Sequence, residues 1–124
     1  MDESLLDTPI DFASSQKGIS LGAGAFMVCD QSVSPVAFLR ELLHFFAVES
    51  CGKCTPCREG NYWMQSVIER VRSDEGKPED VELLKNVATQ MQNKCLCALG
   101  EFATMAVVTG IERFPQDFKL PVRK

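Results

Sequence analysis

Three cysteines spaced two residues apart constrain this chain more than any other feature of its sequence. Cys51, Cys54 and Cys57 form a Cys-x2-Cys-x2-Cys run, and Gly52 lies within it. Glycine lets a short loop turn without the steric penalty of a Cβ atom. The run therefore predicts that three thiol groups converge on one side of a common metal centre, as in many iron–sulfur sites.

Composition favours metal binding over disulfide bonds. The chain has 124 residues, with six cysteines, one histidine and a net charge of −4. The acidic start lacks the basic region and apolar stretch of a secretory signal, and no apolar run reaches the ~20 residues of a membrane span. We therefore expect a cytoplasmic protein, and clustered cysteines in that reducing compartment more often bind metal than pair. Without a dense Lys/Arg block, nucleic acid is not an expected partner.

A fourth thiolate has to come from a distant segment, because a cubane cluster presents four iron corners. Cys95 and Cys97 are both candidates, and spacing alone leaves both open. Structural zinc more often uses two separated Cys-x2-Cys pairs, so the triple favours a [4Fe–4S] cluster and leaves zinc as the alternative. Cys29 is expected to be a small buried residue, and His44 a packing or surface residue and not a ligand.

Hydrophobic spacing predicts four helices. Two start with a Ser-Pro or Thr-Pro pair, the third starts near a proline, and the fourth follows the second cysteine segment. The predicted spans are 35–48, 55 to a break at Gly76, a helix from about 78, and 98–114. Trp63, Phe102 and Met105 are expected to point inward.

The expected fold class is mainly α, a small four-helix bundle with a short N-terminal β segment. Residues 21–30 are interpreted as a turn that leads into this strand. We expect three parts: an extension over 1–34 that contains the β segment, a helical cluster-binding domain over 35–114, and a loosely held tail over 115–124.

The predicted helices place two positive helix ends at the metal. Cys57 falls in the first turn of the second helix, and Cys97 at the start of the fourth. A [4Fe–4S]²⁺ core with four thiolates is an anion, and helix N-termini with free N–H groups stabilise such a charge. Lys53 and Arg58 are either further stabilising cations or ordinary solvated surface charges.

The stretch Glu49–Gly60, ESCGKCTPCREG, resembles the cluster motif of the NADH-binding flavoprotein subunit of respiratory complex I and of related diaphorase subunits of NAD-linked or electron-bifurcating hydrogenases and formate dehydrogenases. Cys97-Ala98-Leu99-Gly100 resembles the second element of that family. Because the family's fourth ligand directly precedes Ala-Leu-Gly, the resemblance implies Cys97 as the ligand and Cys95 as a bystander. Residues 21–30 resemble the end of the preceding β-rich domain, and the likeness covers roughly residues 5–118.

The resemblance implies one [4Fe–4S] cluster whose iron is bound by Cys51, Cys54, Cys57 and Cys97. The family's flavin and NADH domain is not represented, so no FMN or NAD site is expected in this chain.

The implied function is the relay of single electrons within a multisubunit oxidoreductase of the NADH dehydrogenase, hydrogenase or formate dehydrogenase type. The implied partners are larger redox subunits that carry flavin or further clusters, and residues 1–48 are expected to help dock onto them. No catalytic residue is identified. The alternative function is a structural zinc or cluster module that organises an assembly without electron transfer.

Overall fold

Four α-helices form within residues 3–19, 21–22, 24–73 and 75–120, the part of the chain that the computed structural model describes. They are α1 (Pro35–Glu49), α2 (Thr55–Arg72), α3 (Pro78–Met91) and α4 (Ala98–Arg113), and two short 3-10 helices, Glu3–Leu5 and Phe12–Lys17, precede them. The predicted mainly α fold class and the helical bundle are confirmed. Among the described residues, none of the helices combines the length and the hydropathy that a membrane span requires.

The helix starts follow from local chemistry. The Ser34 hydroxyl accepts a hydrogen bond from the Ala37 N–H at 3.4 Å, which caps α1 before Pro35. At α3, the Asp80 carboxylate accepts a hydrogen bond from the Lys77 N–H at 3.0 Å. This bond from the residue before the helix to a side chain three positions later closes the first turn, as in a capping box.

The core lies between the four helices, and α2 is the central helix because its contacts with α3 and α1 are the most extensive in the bundle and it also touches α4. Its buried face presents Met64 and Ile68, which are fully buried. Leu43 of α1, Leu84 of α3 and Val107 of α4 meet them and are also fully buried. Each of the three neighbouring helices therefore contributes at least one fully buried apolar side chain to the core around α2.

The prediction of a β segment over residues 21–30 is wrong. Residues 21–22 and 24–30 contain no strand, and residues 25–30 are irregular and exposed. A strand needs a partner to satisfy its backbone N–H and C=O groups, and the described residues provide no paired strand. Ser20 and Ala23 lie outside the described residues.

Three predicted core positions are also wrong. Trp63 is 54% exposed, and Phe102 and Met105 are 37% and 39% exposed. Neighbouring helical residues point about 100° apart, and at each of these places the smaller or more flexible neighbour occupies the interface. Met64 replaces Trp63, while Ala103 and Thr104 let α4 approach the bundle closely.

The C-terminal segment corrects the expectation of a loosely held tail. Phe118 is only 4% exposed and belongs to the hydrophobic core, and Leu120 packs against it. An aromatic side chain removes a large apolar area from water when it is buried, which holds the segment in place. Residues 121–124 of the predicted tail lie outside the described residues.

Candidate metal centre

Five of the six cysteines line one small cavity at the end of the bundle. Its volume is about 100 Å³, and its walls come from the end of α1, the loop before α2, the start of α2 and the segment before α4. The lining cysteines are Cys51, Cys54, Cys57, Cys95 and Cys97. All four predicted ligands and the alternative fourth cysteine therefore surround the same space. Cys29 is exposed, contrary to the expectation that it is buried.

The cysteine loop is tied to the first turn of α2. Gly52 has φ 75°, a left-handed conformation that glycine adopts without strain. The Arg58 guanidinium donates a hydrogen bond from Nη1 to the Gly52 carbonyl at 2.6 Å, and its Nε donates to Glu59 at 2.8 Å. Arg58 therefore holds the loop against the first turn of α2, and the negative charge of Glu59 offsets part of the positive charge of Arg58.

Cys57 is the most enclosed of these thiols, at 6% exposure. The Asn61 side chain donates from Nδ2 to the Cys57 Sγ at 3.2 Å, and the Ser50 Oγ lies 3.4 Å from the same sulfur. Asn61 is fully buried, and its Oδ1 is without a hydrogen-bond partner among the described residues. A buried polar atom left unpaired costs about 1–3 kcal/mol of folding free energy.

A hydrogen bond from a backbone N–H to a cysteine sulfur joins the two cysteine segments. The Leu96 N–H donates to the Cys54 Sγ at 3.4 Å, across 42 positions in the sequence. The Arg58 N–H donates to the Cys54 carbonyl at 2.9 Å, which begins α2 at this cysteine. Cys54 therefore joins the loop, the helix start and the distant segment.

Cys95 and Cys97 have different surroundings. Cys95 is half-buried, and burial is the main cause that raises the pKa of its thiol, with the neighbouring Cys57 and Cys54 adding to the effect. A Cβ atom placed on Gly100 would lie 2.5 Å from the Cys95 Sγ, so this thiol is packed against the first turn of α4. Cys97 is exposed and is the residue that caps α4.

The donor set fits an iron–sulfur cluster. It consists of thiols, of N–H groups from Asn61 and Leu96 that donate to sulfur, and of the Ser50 hydroxyl within hydrogen-bond distance of the Cys57 sulfur. Hydrogen bonds to sulfur are among the surroundings that such clusters use. Within the described ranges, no three His, Cys, Asp or Glu side chains are grouped closely enough to hold one metal ion.

The position of His44 agrees with the sequence-based prediction, whereas the contact that Asn61 makes was not predicted. His44 is exposed, and its Nδ1 lies 2.9 Å from the Gln65 Nε2, as expected of a surface residue. Asn61 was not anticipated as part of the site. It follows Cys57 by four residues on the same helix. Residues at i and i+4 share a helix face, so this spacing could have indicated that the two side chains meet.

The family model that matches this chain describes the NADH-ubiquinone oxidoreductase-F iron–sulfur binding region, and the match covers residues 37–120. The F subunit of the NADH-quinone oxidoreductase of Mycobacterium tuberculosis is 35% identical over 114 residues, which is 91% of this chain and 26% of that protein. The mitochondrial NADH-ubiquinone oxidoreductase 51 kDa subunit of Neurospora crassa is 34% identical over 110 residues, 89% of this chain and 22% of that protein. The chain thus spans about a quarter of the length of these relatives.

Solved structures give the same likeness. An NAD+-reducing [NiFe]-hydrogenase in its H2-reduced state superposes with a TM-score of 0.72 at 32% identity. That match covers 78% of this chain and 17% of the hydrogenase chain.

Proposed function

Since this chain belongs to the NADH-ubiquinone oxidoreductase-F iron–sulfur binding region family, we propose that it carries one [4Fe–4S] cluster and passes single electrons. The proposed iron ligands are the thiolates of Cys51, Cys54, Cys57 and Cys97. The helical domain over 35–114 is the proposed cluster-binding unit.

One observation carries this proposal: the four thiols line a single cavity, and protein donors reach the sulfurs of two of them. A cluster with four thiolates is an anion in both oxidation states and becomes more negative on reduction. Donors to sulfur and the N-terminal ends of α2 and α4 stabilise that charge. The bound cluster would supply one-electron chemistry, while the chain holds it and sets its surroundings.

Exposure of part of the ligand set suits electron exchange with a partner. Cys51 and Cys97 are exposed, whereas Cys57 faces the interior. A cluster on these four residues would have one side at the protein surface, where a redox partner can approach.

We further propose that the chain works with larger redox subunits that carry flavin or additional clusters, and that it holds no FMN or NAD site of its own. The relatives at this level of identity are subunits of NADH-quinone oxidoreductases and an NAD+-reducing hydrogenase. These relatives support an oxidoreductase of the NADH dehydrogenase or hydrogenase type, and the sequence resemblance adds the formate dehydrogenase type to the proposal.

Residues 1–48 are the proposed docking region. This stretch exposes a series of large apolar side chains to solvent: Leu6, Ile10, Phe12, Phe26, Met27, Val28, Val33, Phe45 and Val48. Exposed apolar area on this scale is typical of a surface that a partner covers. Hydrogen exchange in the isolated chain and in its native complex should show added protection here, and equal protection in both would refute the docking role.

Metal analysis of anaerobically purified protein tests the cluster itself. The composition of a [4Fe–4S] cluster predicts about four irons and about four sulfides per chain, with a brown colour that dithionite bleaches. A colourless protein with about one zinc per chain would support the structural zinc module instead. A cluster that takes up no electron over the accessible potential range would support a structural cluster module.

A further inference from the structure

We propose that Asn61 raises the reduction potential of the cluster by donating a hydrogen bond to the sulfur of Cys57. The inference rests on the proposed function, because it assumes that Cys57 binds iron. It assigns to a residue outside the cysteine run the task of positioning and stabilising one ligand.

The geometry is that of a directed hydrogen bond. The Asn61 Nδ2 lies 3.2 Å from the Cys57 Sγ, within the range of an N–H donor to sulfur. Both residues lie on α2, one helical turn apart, so the rigid helix fixes their separation. Asn61 is fully buried, which prevents water from competing for its amide protons.

Cys57 has the greatest need of a protein donor. It is the buried member of the proposed ligand set, whereas Cys51 and Cys97 are exposed and Cys54 is partly exposed. Water can donate hydrogen bonds to an exposed thiolate, but a buried thiolate depends on the protein. The Ser50 Oγ, 3.4 Å from the Cys57 Sγ, is the second donor once this sulfur is an iron-bound thiolate.

The unpaired oxygen of Asn61 argues that the residue is not there for stability. In the described part of the chain, its Oδ1 is buried and has no hydrogen-bond partner. Rotating the amide by about 180° would direct this oxygen at the sulfur, and a thiolate repels an acceptor. The observed orientation keeps the N–H on Cys57 at the expense of the oxygen, which an apolar side chain would not require.

The direction of the effect follows from charge. Reduction adds one electron, supplied by the partner or by a chemical reductant, and the net charge of a four-thiolate cluster changes from −2 to −3. No bond forms or breaks. A hydrogen bond to a ligand sulfur is stronger when the sulfur carries more negative charge, so the donor stabilises the reduced state more than the oxidised state. The reduction potential therefore rises.

The variant Asn61→Leu tests the inference, because leucine has a similar size but lacks the donor. We expect the anaerobically purified full chain to take up a full cluster and to have a more negative midpoint potential in a spectroelectrochemical titration. Resistance to urea should be equal or greater, since the unpaired oxygen is also removed. A merely structural asparagine would change stability without moving the potential.

Thr104→Val is the matched control. Thr104 is also fully buried and polar, but its hydroxyl donates to the Glu101 carbonyl within α4. This variant should keep the wild-type midpoint potential. Ser50→Ala should lower the potential by less than Asn61→Leu, because the Ser50 contact is longer and its surroundings are partly open to water.

An unchanged midpoint potential in cluster-loaded Asn61→Leu would overturn the inference and leave the proposed function intact. A wild-type chain that holds no cluster would instead overturn the proposed function. If leucine prevents assembly, Asn61→Ala removes the same donor without added bulk, and the same downward shift is expected. Failure of both variants to take up iron, with Thr104→Val fully loaded, would assign Asn61 a structural role and refute the tuning.

Discussion

The two cysteines before α4 differ sharply in their surroundings, although one residue separates them. Cys95 is packed against Gly100, and burial raises the pKa of its thiol. Cys97 caps α4 and is exposed at the rim of the cavity. These differences support Cys97 as the fourth ligand.

Two serine substitutions distinguish these cysteines. Cys97→Ser should remove or destabilise the cluster, lowering the iron and sulfide content of anaerobically purified protein. Cys95→Ser should keep the wild-type content, because it replaces a thiol beside the proposed ligand set with a similar-sized hydroxyl. Full iron in Cys97→Ser together with iron loss in Cys95→Ser would transfer the fourth ligand to Cys95.

At the scale of residues, the sequence predicted the thiols better than it predicted their partners. Short spacing forces Cys51, Cys54 and Cys57 together in almost any compact loop, so their convergence could be anticipated. The hydrogen bonds from Asn61 and Ser50 to Cys57 depend on rotamers and on local burial, which spacing does not determine. Cys29 was misjudged because its burial depended on a strand that does not form.

At the scale of elements, the start of α3 is held by a charged contact from α2. The Arg70 Nη2 lies 2.6 Å from the Asp80 Oδ1, and the Asp80 side chain is 12% exposed. The hydrogen bond from Arg70 lowers the pKa of the Asp80 carboxyl, and the Lys77 N–H lowers it further. The contact therefore joins the capping of α3 to the packing of α3 on α2.

Asp80→Ala should lower the free energy of unfolding by about 1–2 kcal/mol at pH ~7, because it removes the cap and the ion pair together. The estimate is modest because 45% of the Arg70 side chain is exposed and water screens the pair. Since the folded-state pKa is lowered, the stabilisation is complete above the unfolded value near 3.8 and is lost as the pH falls through the folded value.

Urea unfolding of the wild type and the variant at a series of pH values measures this loss. The difference between them should be largest at neutral pH and should shrink toward pH ~3. Glu79→Ala is the matched control, since Glu79 is an exposed acid in the same first turn. A difference that stays constant down to this pH would contradict the assigned role of the Asp80 carboxylate.

The helices were predictable as elements, whereas their buried faces were predictable only in part. Proline and serine signals gave starts at Pro35, Thr55 and Pro78 that agree with the structure. The apolar stripes did not distinguish Trp63 from Met64, because both fit the helical period within one residue and the space between helices makes the choice. The strand over 21–30 failed because strand formation depends on a partner elsewhere in the chain.

At the scale of the whole molecule, the cysteine site and the C-terminal segment lie at opposite ends of the central helix. Cys57 is in the first turn of α2, which is about 27 Å long at about 1.5 Å per residue. Leu120 lies beside Gly76, which follows the other end of that helix: a Cβ on Gly76 would be 3.1 Å from the Leu120 Cδ1. Phe118, two residues before Leu120, is part of the hydrophobic core. We therefore expect substitutions in the C-terminal segment to change the free energy of unfolding without changing the chemistry of the cysteine site.

Phe118→Ala should lower the free energy of unfolding by about 3 kcal/mol, because it leaves a cavity where a buried aromatic ring was. The iron content of the folded protein and the midpoint potential of its cluster should stay at wild-type values. Phe114→Ala, at a 40% exposed position on the same segment, should cost much less. Equal losses of stability in the two variants would show that the tail does not contribute to the core.

The central claim is that four thiolates at one end of a helical bundle hold a single redox-active cube. Electron paramagnetic resonance of the anaerobically purified chain after dithionite reduction, with iron and sulfide measured on the same sample, tests it most directly. We predict a diamagnetic oxidised protein, a reduced protein with about one unpaired spin per chain, and about four irons and about four sulfides. Protein that contains zinc but no sulfide, or iron that gives no reducible signal, would contradict the account.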